Sequence, residues 1–339
     1  MCKPTALYAP TVSHTERVFR PEVYARFLDR FDVTENRTNK NLTADEIAQK
    51  IRGQEALVTG WGVPNLTPAI MENADQLKII AHSAGSVKGL LGQIWDKYIV
   101  PRRICVFSAN HAIACNVAES TLGLILMATH RWMDQALAIR TKPVWKDAAI
   151  PSNGQYLNGS TVGVVSASKV GRETLKLLKP FDVKVLVYDP FLSDWEAGAL
   201  GVEKADLDTL FKRSDIVTVH APSIPETDKM ITARHLALLR DGAVLVNTSR
   251  GSVLDQDALL AECQKGRLIA ALDVTTPEPL PPDHPLRKLP NVIITPHVSG
   301  AGHYGYFKIG ETTLQALEDH FADKPVQSAI RYETWARLA

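Results

Sequence analysis

The chain has 339 residues, 45% hydrophobic and 22% charged, with a formal net charge of +1, the composition of a globular protein of about two domains. A near-neutral balance with no long basic run offers nothing to gather nucleic-acid phosphates or anionic lipid heads, so no nucleic acid and no membrane is expected, and a small-molecule partner is. Cys2, Cys105, Cys115 and Cys263 are scattered without a Cys-x-x-Cys pair, which argues against a zinc site or disulfide framework and for reduced, mostly buried thiols.

The opening run "MCKPTALYAPTVSHTERV" lacks the apolar core of a signal peptide, and no segment approaches the ~20 apolar residues of a membrane span, so a cytoplasmic location is expected. "TALYA", "EALVTG", "LKIIAHS" and "ICVFSA" read as strands, separated by helical patterns such as Pro21 to Phe31 and Thr43 to Arg52. This alternation implies parallel strands with crossover helices. A long apolar helix follows, with Asn116 as its N-cap in "NVAESTLGLILMATHRW". The alternation then restarts with "TVGVVS", "VKVLVYD", "DIVTVHAP", "GAVLVNTS", "LIAALDV" and "NVIITPH". A last helix, about Tyr306 to Phe321, begins no third series and is expected to cross back and complete the first unit. The expected fold is α/β, two doubly wound Rossmann-like or flavodoxin-like domains with a cleft between them.

"STVGVVSASKVGRETLKLL" has a strand, a loop and a helix start where a dinucleotide fold carries Gly-x-Gly-x-x-Gly, but the three positions hold Ser166, Ser168 and Gly171. The first two glycines of that motif serve a tight turn and close backbone approach to the pyrophosphate, and the third serves helix packing. Only the third is kept, so the motif is weakened. Serine tolerates a left-handed backbone at a cost of about 1–2 kcal/mol, and its hydroxyl could donate to a phosphate. Lys169 adds a cation where helix N–H groups already favour an anion. Asp189 ends the next strand, where a carboxylate can accept from an adenosine ribose 2′-hydroxyl and repel a 2′-phosphate.

Arg250 in "VNTSRGSVLD", Asp273 and Glu278 in "LDVTTPEPL" and His297 in "IITPHVSG" each follow a strand. Carboxyl ends of parallel strands open onto the ligand crevice, so these residues can converge. Arginine can clamp a carboxylate, histidine can deliver or remove a hydroxyl proton, and a glutamate beside it can orient the ring. Each one alone is also what a hydrogen-bonded strand end or a surface ion pair provides.

In order, "LNGSTVGVVSASKVGR", "VYDP", "VHAPSIPET", "LVNTSRGSVLD", "AALDVTTPEPL" and "ITPHVSGA" closely resemble the D-isomer-specific 2-hydroxyacid dehydrogenase family. The likeness spans about Asn110 to Gly302 and is thinner before it, where "IIAHSAGSVKGL" is similar to the family's substrate-carboxylate loop. The resemblance implies a substrate-binding domain of residues 1–109 with 304–339 and an NAD-binding domain of residues 110–303. It implies that Arg250 binds the substrate carboxylate and carbonyl, that His297 is the acid/base and that Glu278 pairs with it. Amides of Ala84, Gly85 and Ser86 would hold the carboxylate. Trp61, in "TGWGVP" at the end of an N-terminal strand, either caps the pocket or simply packs. Ser168, Lys169 and Val170 would lie under the pyrophosphate, Asp189 on the ribose, and His220, Ala221, Pro222 and Thr227 along the adenine. Thr248, Ser249 and Gly300 would flank the nicotinamide, with Asp273 near its carboxamide.

The implied activity is interconversion of a 2-oxo acid and a 2-hydroxy acid with NAD, NADH being preferred over NADPH, in a homodimer; the apolar face of the long helix, with Leu122, Leu124, Ile125, Leu126 and Met127, is either buried in that dimer or interior core. One departure stands out besides the serines: Val87 occupies a position where the family often has aspartate, with Lys88 next. Glu278 stands where formate-oxidising relatives carry glutamine, so formate is not expected as the substrate. A second reading keeps the scaffold without catalysis, as a nicotinamide-sensing or corepressor-like interaction protein.

Overall fold

The computed structural model describes residues 3–143, 145, 147, 150, 156–300 and 302–338; Cys2 lies outside them. The chain forms two compact units, Met1–Ile113 with Ala301–Ala339 and Ala114–Gly300.

In the first unit, β1 (Thr5–Tyr8), β2 (Asp32–Glu35), β3 (Ala56–Thr59), β4 (Ile79–His82) and β5 (Cys105–Ser108) form a parallel sheet in the order β2-β1-β3-β4-β5. This is the flavodoxin-like order, whose switch point lies between β1 and β3. β1, β3 and β4 are almost wholly apolar because both sheet faces are covered. Leu7, Leu57, Ile80 and Val106 face one core, while Tyr8, Val58, Ala81 and Phe107 face the other. The second core is closed by the helix His303–Phe321 through Ile309, Leu314 and Leu317. Gly310 lets that helix approach closely, since a Cβ there would stand 2.3 Å from the Val18 carbonyl oxygen.

In the second unit, β6 (Thr161–Val165), β7 (Lys184–Tyr188), β8 (Glu203–Lys204), β9 (Ile216–Val219), β10 (Val244–Asn247), β11 (Ile269–Leu272) and β12 (Val292–Ile294) form a parallel sheet ordered β12-β11-β10-β9-β6-β7-β8. The order reverses between β6 and β9, the dinucleotide-binding topology. Leu245 points to one core and its neighbours Val244 and Val246 to the other, the period-two pattern of a strand covered on both faces.

Three expectations change. The long apolar helix runs Asn110–Thr129. It therefore begins six residues before Asn116, which is no N-cap and donates from Nδ2 to the Gly300 carbonyl at 3.2 Å. That helix is also long and apolar enough to cross a membrane by length and composition, against the expectation that no segment is, although half of the span is buried in the protein. Ser120 and Thr121 on it bond to Ser299 and Thr248, as a packed core helix requires. Finally, Cys263 is buried, but Cys105 and Cys115 are only partly so. Burial holds the Cys105 thiol up at about 11 and the Cys263 thiol at about 12.

Candidate active site

Parallel pairing in register brings the ends of β10, β11 and β12 to one level, with Asn247 opposite Leu272 and Leu272 opposite Ile294. Arg250, Asp273, Glu278 and His297 all leave from that edge. His297 Nδ1 and Glu278 Oε1 are 2.5 Å apart. A carboxylate only accepts, so Nδ1 carries the proton and Nε2 is the free nitrogen. Both side chains are partly exposed, at 46% and 41%, so the pair is open to a ligand.

Asp273 orders the loop that carries this histidine. Its carboxylate is 2% exposed and accepts from Thr295 Oγ1 at 2.5 Å and from the Val298 and Ser299 N–H groups, each at 2.9 Å. The His297 N–H donates to the Asp273 carbonyl at 2.9 Å. His297 itself has φ +53°, a conformation costing a non-glycine residue about 1–2 kcal/mol. The expectation that Asp273 lies on the nicotinamide carboxamide therefore meets a carboxylate engaged with its own loop.

Arg250 is exposed, and its guanidinium donates to the Ser249 carbonyl at 2.7 Å. Among the described residues it has no carboxylate partner, and no hydrogen bond joins it to Glu278 or His297. Its turn is held by the buried Asn247, whose amide donates to the Arg250 carbonyl at 3.0 Å and accepts from the Ser249 N–H and hydroxyl. Gly251 follows because a Cβ there would lie 2.2 Å from the Thr275 carbonyl. Thr248 Oγ1 is 2.8 Å from Thr121 Oγ1. Asn247 and Thr121 went unnoticed in the sequence; an amide directly at a strand end was the available signal for the first.

On the other side of the switch point, β6 leads into the serine loop. Ser166 takes φ +78°, the left-handed turn that glycine would make freely. Its hydroxyl donates to Asp189 Oδ2 at 3.2 Å, beside the Ala167 N–H at 2.8 Å, while Asp189 Oδ1 accepts from the Phe191 N–H. Ser168 caps the helix Lys169–Leu178 by accepting from the Gly171 N–H at 3.3 Å. The Ser166 hydroxyl thus commits its proton within the protein, whereas the Ser168 hydroxyl, an acceptor here, can still donate to a phosphate. The N–H groups of Ser168, Lys169 and Val170 have no acceptor among the described residues, as at any open helix start, and can hold an anion there. A Cβ on Gly171 would come 2.2 Å from the Ser166 carbonyl, so the one retained glycine is where helix and loop touch.

His220, at the end of β9, is 4% exposed, with Nε2 3.1 Å from Thr218 Oγ1 and Nδ1 without a partner among the described residues. Burial pushes its pKa down to about 3. Beside it Ala221 is buried, and the Thr227 hydroxyl donates to the Pro222 carbonyl at 2.5 Å. An orphaned buried nitrogen, three open amides and a glycine seat at one sheet edge fit a dinucleotide.

In the first unit, the Ala84–Ser86 loop follows β4. Ser108 Oγ donates to the Gly85 carbonyl at 2.5 Å, and the N–H groups of Ala84 and Gly85 have no acceptor among the described residues. Just before it, the buried Ser83 hydroxyl donates to the Thr59 carbonyl at 2.7 Å and so accepts from His14 Nε2 at 2.8 Å. Burial and the nearby Arg17 cation lower the His14 pKa to about 4. Its ring meets Trp61 edge-on at 5.4 Å, and Trp61, 39% exposed, meets Tyr306 at 5.7 Å. Trp61 thus sits in an aromatic row at the β1/β3 switch point. His14, from a helix absent from the sequence reading, was missed.

Residues 122–299 match the family model described as "D-isomer specific 2-hydroxyacid dehydrogenase, NAD binding domain". A glyoxylate reductase of Thermofilum pendens is 36% identical over 76% of this chain and 75% of its own length. A D-3-phosphoglycerate dehydrogenase of Methanocaldococcus jannaschii is 34% identical over 78% of this chain, which spans only 49% of that protein. The crystal structure of a phosphoglycerate oxidoreductase from Rhizobium etli is similar with a TM-score of 0.82 at 25% identity, covering 97% of this chain and 98% of that one.

Proposed function

Since the chain belongs to the D-isomer-specific 2-hydroxyacid dehydrogenase family, oxidoreductases of CH–OH groups that use a nicotinamide cofactor, we propose that it interconverts a 2-oxo acid and its 2-hydroxy acid with NAD, His297 acting as the acid/base. The nicotinamide, when bound, supplies or takes the hydride at C2. His297 Nε2 gives its proton to the ketone oxygen in reduction and takes the hydroxyl proton in oxidation. Glu278 accepts from Nδ1–H and so keeps the ring aimed. Arg250, with no carboxylate partner among the described residues, binds the substrate carboxylate and carbonyl and stabilises charge developing on oxygen. Ala84, Gly85 and Ser86 offer further N–H groups to the carboxylate, and Trp61 walls the pocket. Thr248, Ser249 and Gly300 flank the nicotinamide.

The 2.5 Å contact between His297 and Glu278 carries this reading, because an imidazole bonded to a carboxylate at a ligand-facing strand edge is built to exchange a proton. The Asp189 carboxylate beside the loop favours NADH over NADPH by repelling a 2′-phosphate. A cytoplasmic homodimer completes the proposal, its homodimer part supported by the helix Trp132–Thr141, which leaves Trp132, Met133, Leu137 and Ile139 about half exposed, at 47–58%, apolar side chains that an interface would cover.

The test is NADH oxidation with a panel of 2-oxo acids. His297→Ala and Arg250→Ala should each lower turnover by about 10²–10⁴-fold while leaving calorimetric NADH binding nearly intact. Near-normal turnover in either variant refutes the role given to that residue. NADH binding by the parent without turnover of any 2-oxo acid favours the sensing reading.

A further inference from the structure

The position where aspartate was expected, Val87, and its neighbour Lys88 are tied to the far end of the chain. Val87 is 2% exposed and lies in the core with Leu90, Leu91, Ile94 and Trp95. Lys88 opens the short helix Lys88–Leu91, and its N–H donates to the Ser86 hydroxyl at 3.2 Å. Its ammonium donates to the Trp335 carbonyl at 2.6 Å and lies 4.5 Å from the centre of the Trp335 ring. Trp335 in turn lies flat on Trp95, with centroids 3.8 Å apart and planes at 6°. Tyr332, on the same 3-10 segment Tyr332–Arg337, meets Trp95 edge-on and donates its hydroxyl to the Ile104 carbonyl at 3.1 Å.

We propose that Lys88 and Trp335 are positioning residues, through which the Tyr332–Arg337 segment fixes the shape of the Ala84–Ser86 loop and thereby the affinity for substrate. The proposal rests on the reading that this loop holds the substrate carboxylate. Ser83 is bonded to Thr59 and His14, and the Gly85 carbonyl is held by Ser108; the exit of the loop leads into Lys88, whose N–H donates to the Ser86 hydroxyl, and into the apolar seat of Val87. An ammonium that leaves water for a carbonyl and an aromatic face, with no carboxylate partner among the described residues, is a directional tether rather than a surface ion pair. A loop that meets the carboxylate equally in the bound and transition states acts on KM and leaves kcat alone.

The experiment measures steady-state kinetics and NADH affinity for Lys88→Met, Trp335→Ala and both together, with Lys88→Arg and Trp335→Phe as conservative variants. Lys88→Met and Trp335→Ala should each raise KM for the 2-oxo acid by about tenfold, with kcat and NADH affinity within about twofold of the parent. Their effects should be less than additive in the double variant, because both remove the contact between the ammonium and the Trp335 ring, and the conservative variants should recover most of the affinity. KM within about twofold of the parent in both single variants overturns the inference. So does a rise confined to Lys88→Met, which would make that lysine a direct substrate contact, and so does loss of kcat and NADH affinity together. A parent that reduces no 2-oxo acid overturns the underlying reading and the inference with it, a result distinct from an active parent with insensitive variants.

Discussion

Mild acid should loosen the first unit before the second. Burial pushes His82 to about 3, with His14 adding repulsion, and pushes His14 to about 4, while the second unit buries His220 at about 3. Above the ordinary histidine value all three are neutral whether the chain is folded or not. As pH falls below 6.5 the unfolded chain takes up protons that the folded chain refuses, so stability is full at neutral pH and is lost downward. Each such histidine then costs about 1.4 kcal/mol per pH unit until its folded pKa is reached, or roughly 2 kcal/mol by pH 5. Because all three folded values lie well below 5, that figure barely depends on them. The first unit therefore loses about 4 kcal/mol and the second about 2, against total stabilities of about 5–15 kcal/mol. Amide hydrogen exchange by mass spectrometry, at pH 7 and pH 5 with intrinsic rates corrected, reads each unit through β4 and β10. His82→Gln should remove about one proton from the slope of the first unit. If β4 exchange shows no pH dependence across this range, or the variant keeps the parent slope, the buried-histidine argument fails.

Two further substitutions probe the nucleotide loop. Gly171→Ala improves helix propensity by about 1 kcal/mol, yet places a Cβ 2.2 Å from the Ser166 carbonyl; backbone overlap should win, lowering NADH affinity about tenfold or more in a calorimetric titration. Parent affinity would show that the loop tolerates the shift. Asp189→Asn removes the charge and keeps an acceptor for only one of the Ala167 and Phe191 N–H groups, which bond to different carboxylate oxygens; the ratio of NADPH to NADH affinity, which cancels a general loosening of the loop, should rise about tenfold. An unchanged ratio places cofactor choice elsewhere.

The strands that could be read are those covered on both faces: Ala56–Thr59 is buried throughout and announces itself. The strand Asp32–Glu35 carries acids at both ends and lies at the sheet edge, where neither periodicity nor propensity marks it. The long helix was started late because "NHAIA" follows β5 without an intervening turn signal. Site residues leaving parallel strands were legible for a geometric reason, since one sheet edge collects them all. The residues that hold them were not. His14 meets Ser83 across 69 positions and Thr121 meets Thr248 across 127, and no local pattern encodes such pairs. The serines were legible as a departure, but their bonds to Asp189 and Gly171 needed the turn itself.

The helix His303–Phe321, which closes the first unit, is synthesised only after the entire second unit. A ribosome adding about 5–20 residues per second takes roughly 10–40 s to cross the intervening stretch. Throughout that interval the face of the first sheet bearing Tyr8, Val58 and Ala81 lacks the part of its cover that Ile309, Leu314 and Leu317 supply, and β5 lacks the bridge from Phe107 to Ala329. The second unit, contiguous in sequence, can mature meanwhile. The nascent chain should thus present a finished nucleotide-binding half joined to an open, adhesive half, the species for which a chaperone would compete most strongly during translation.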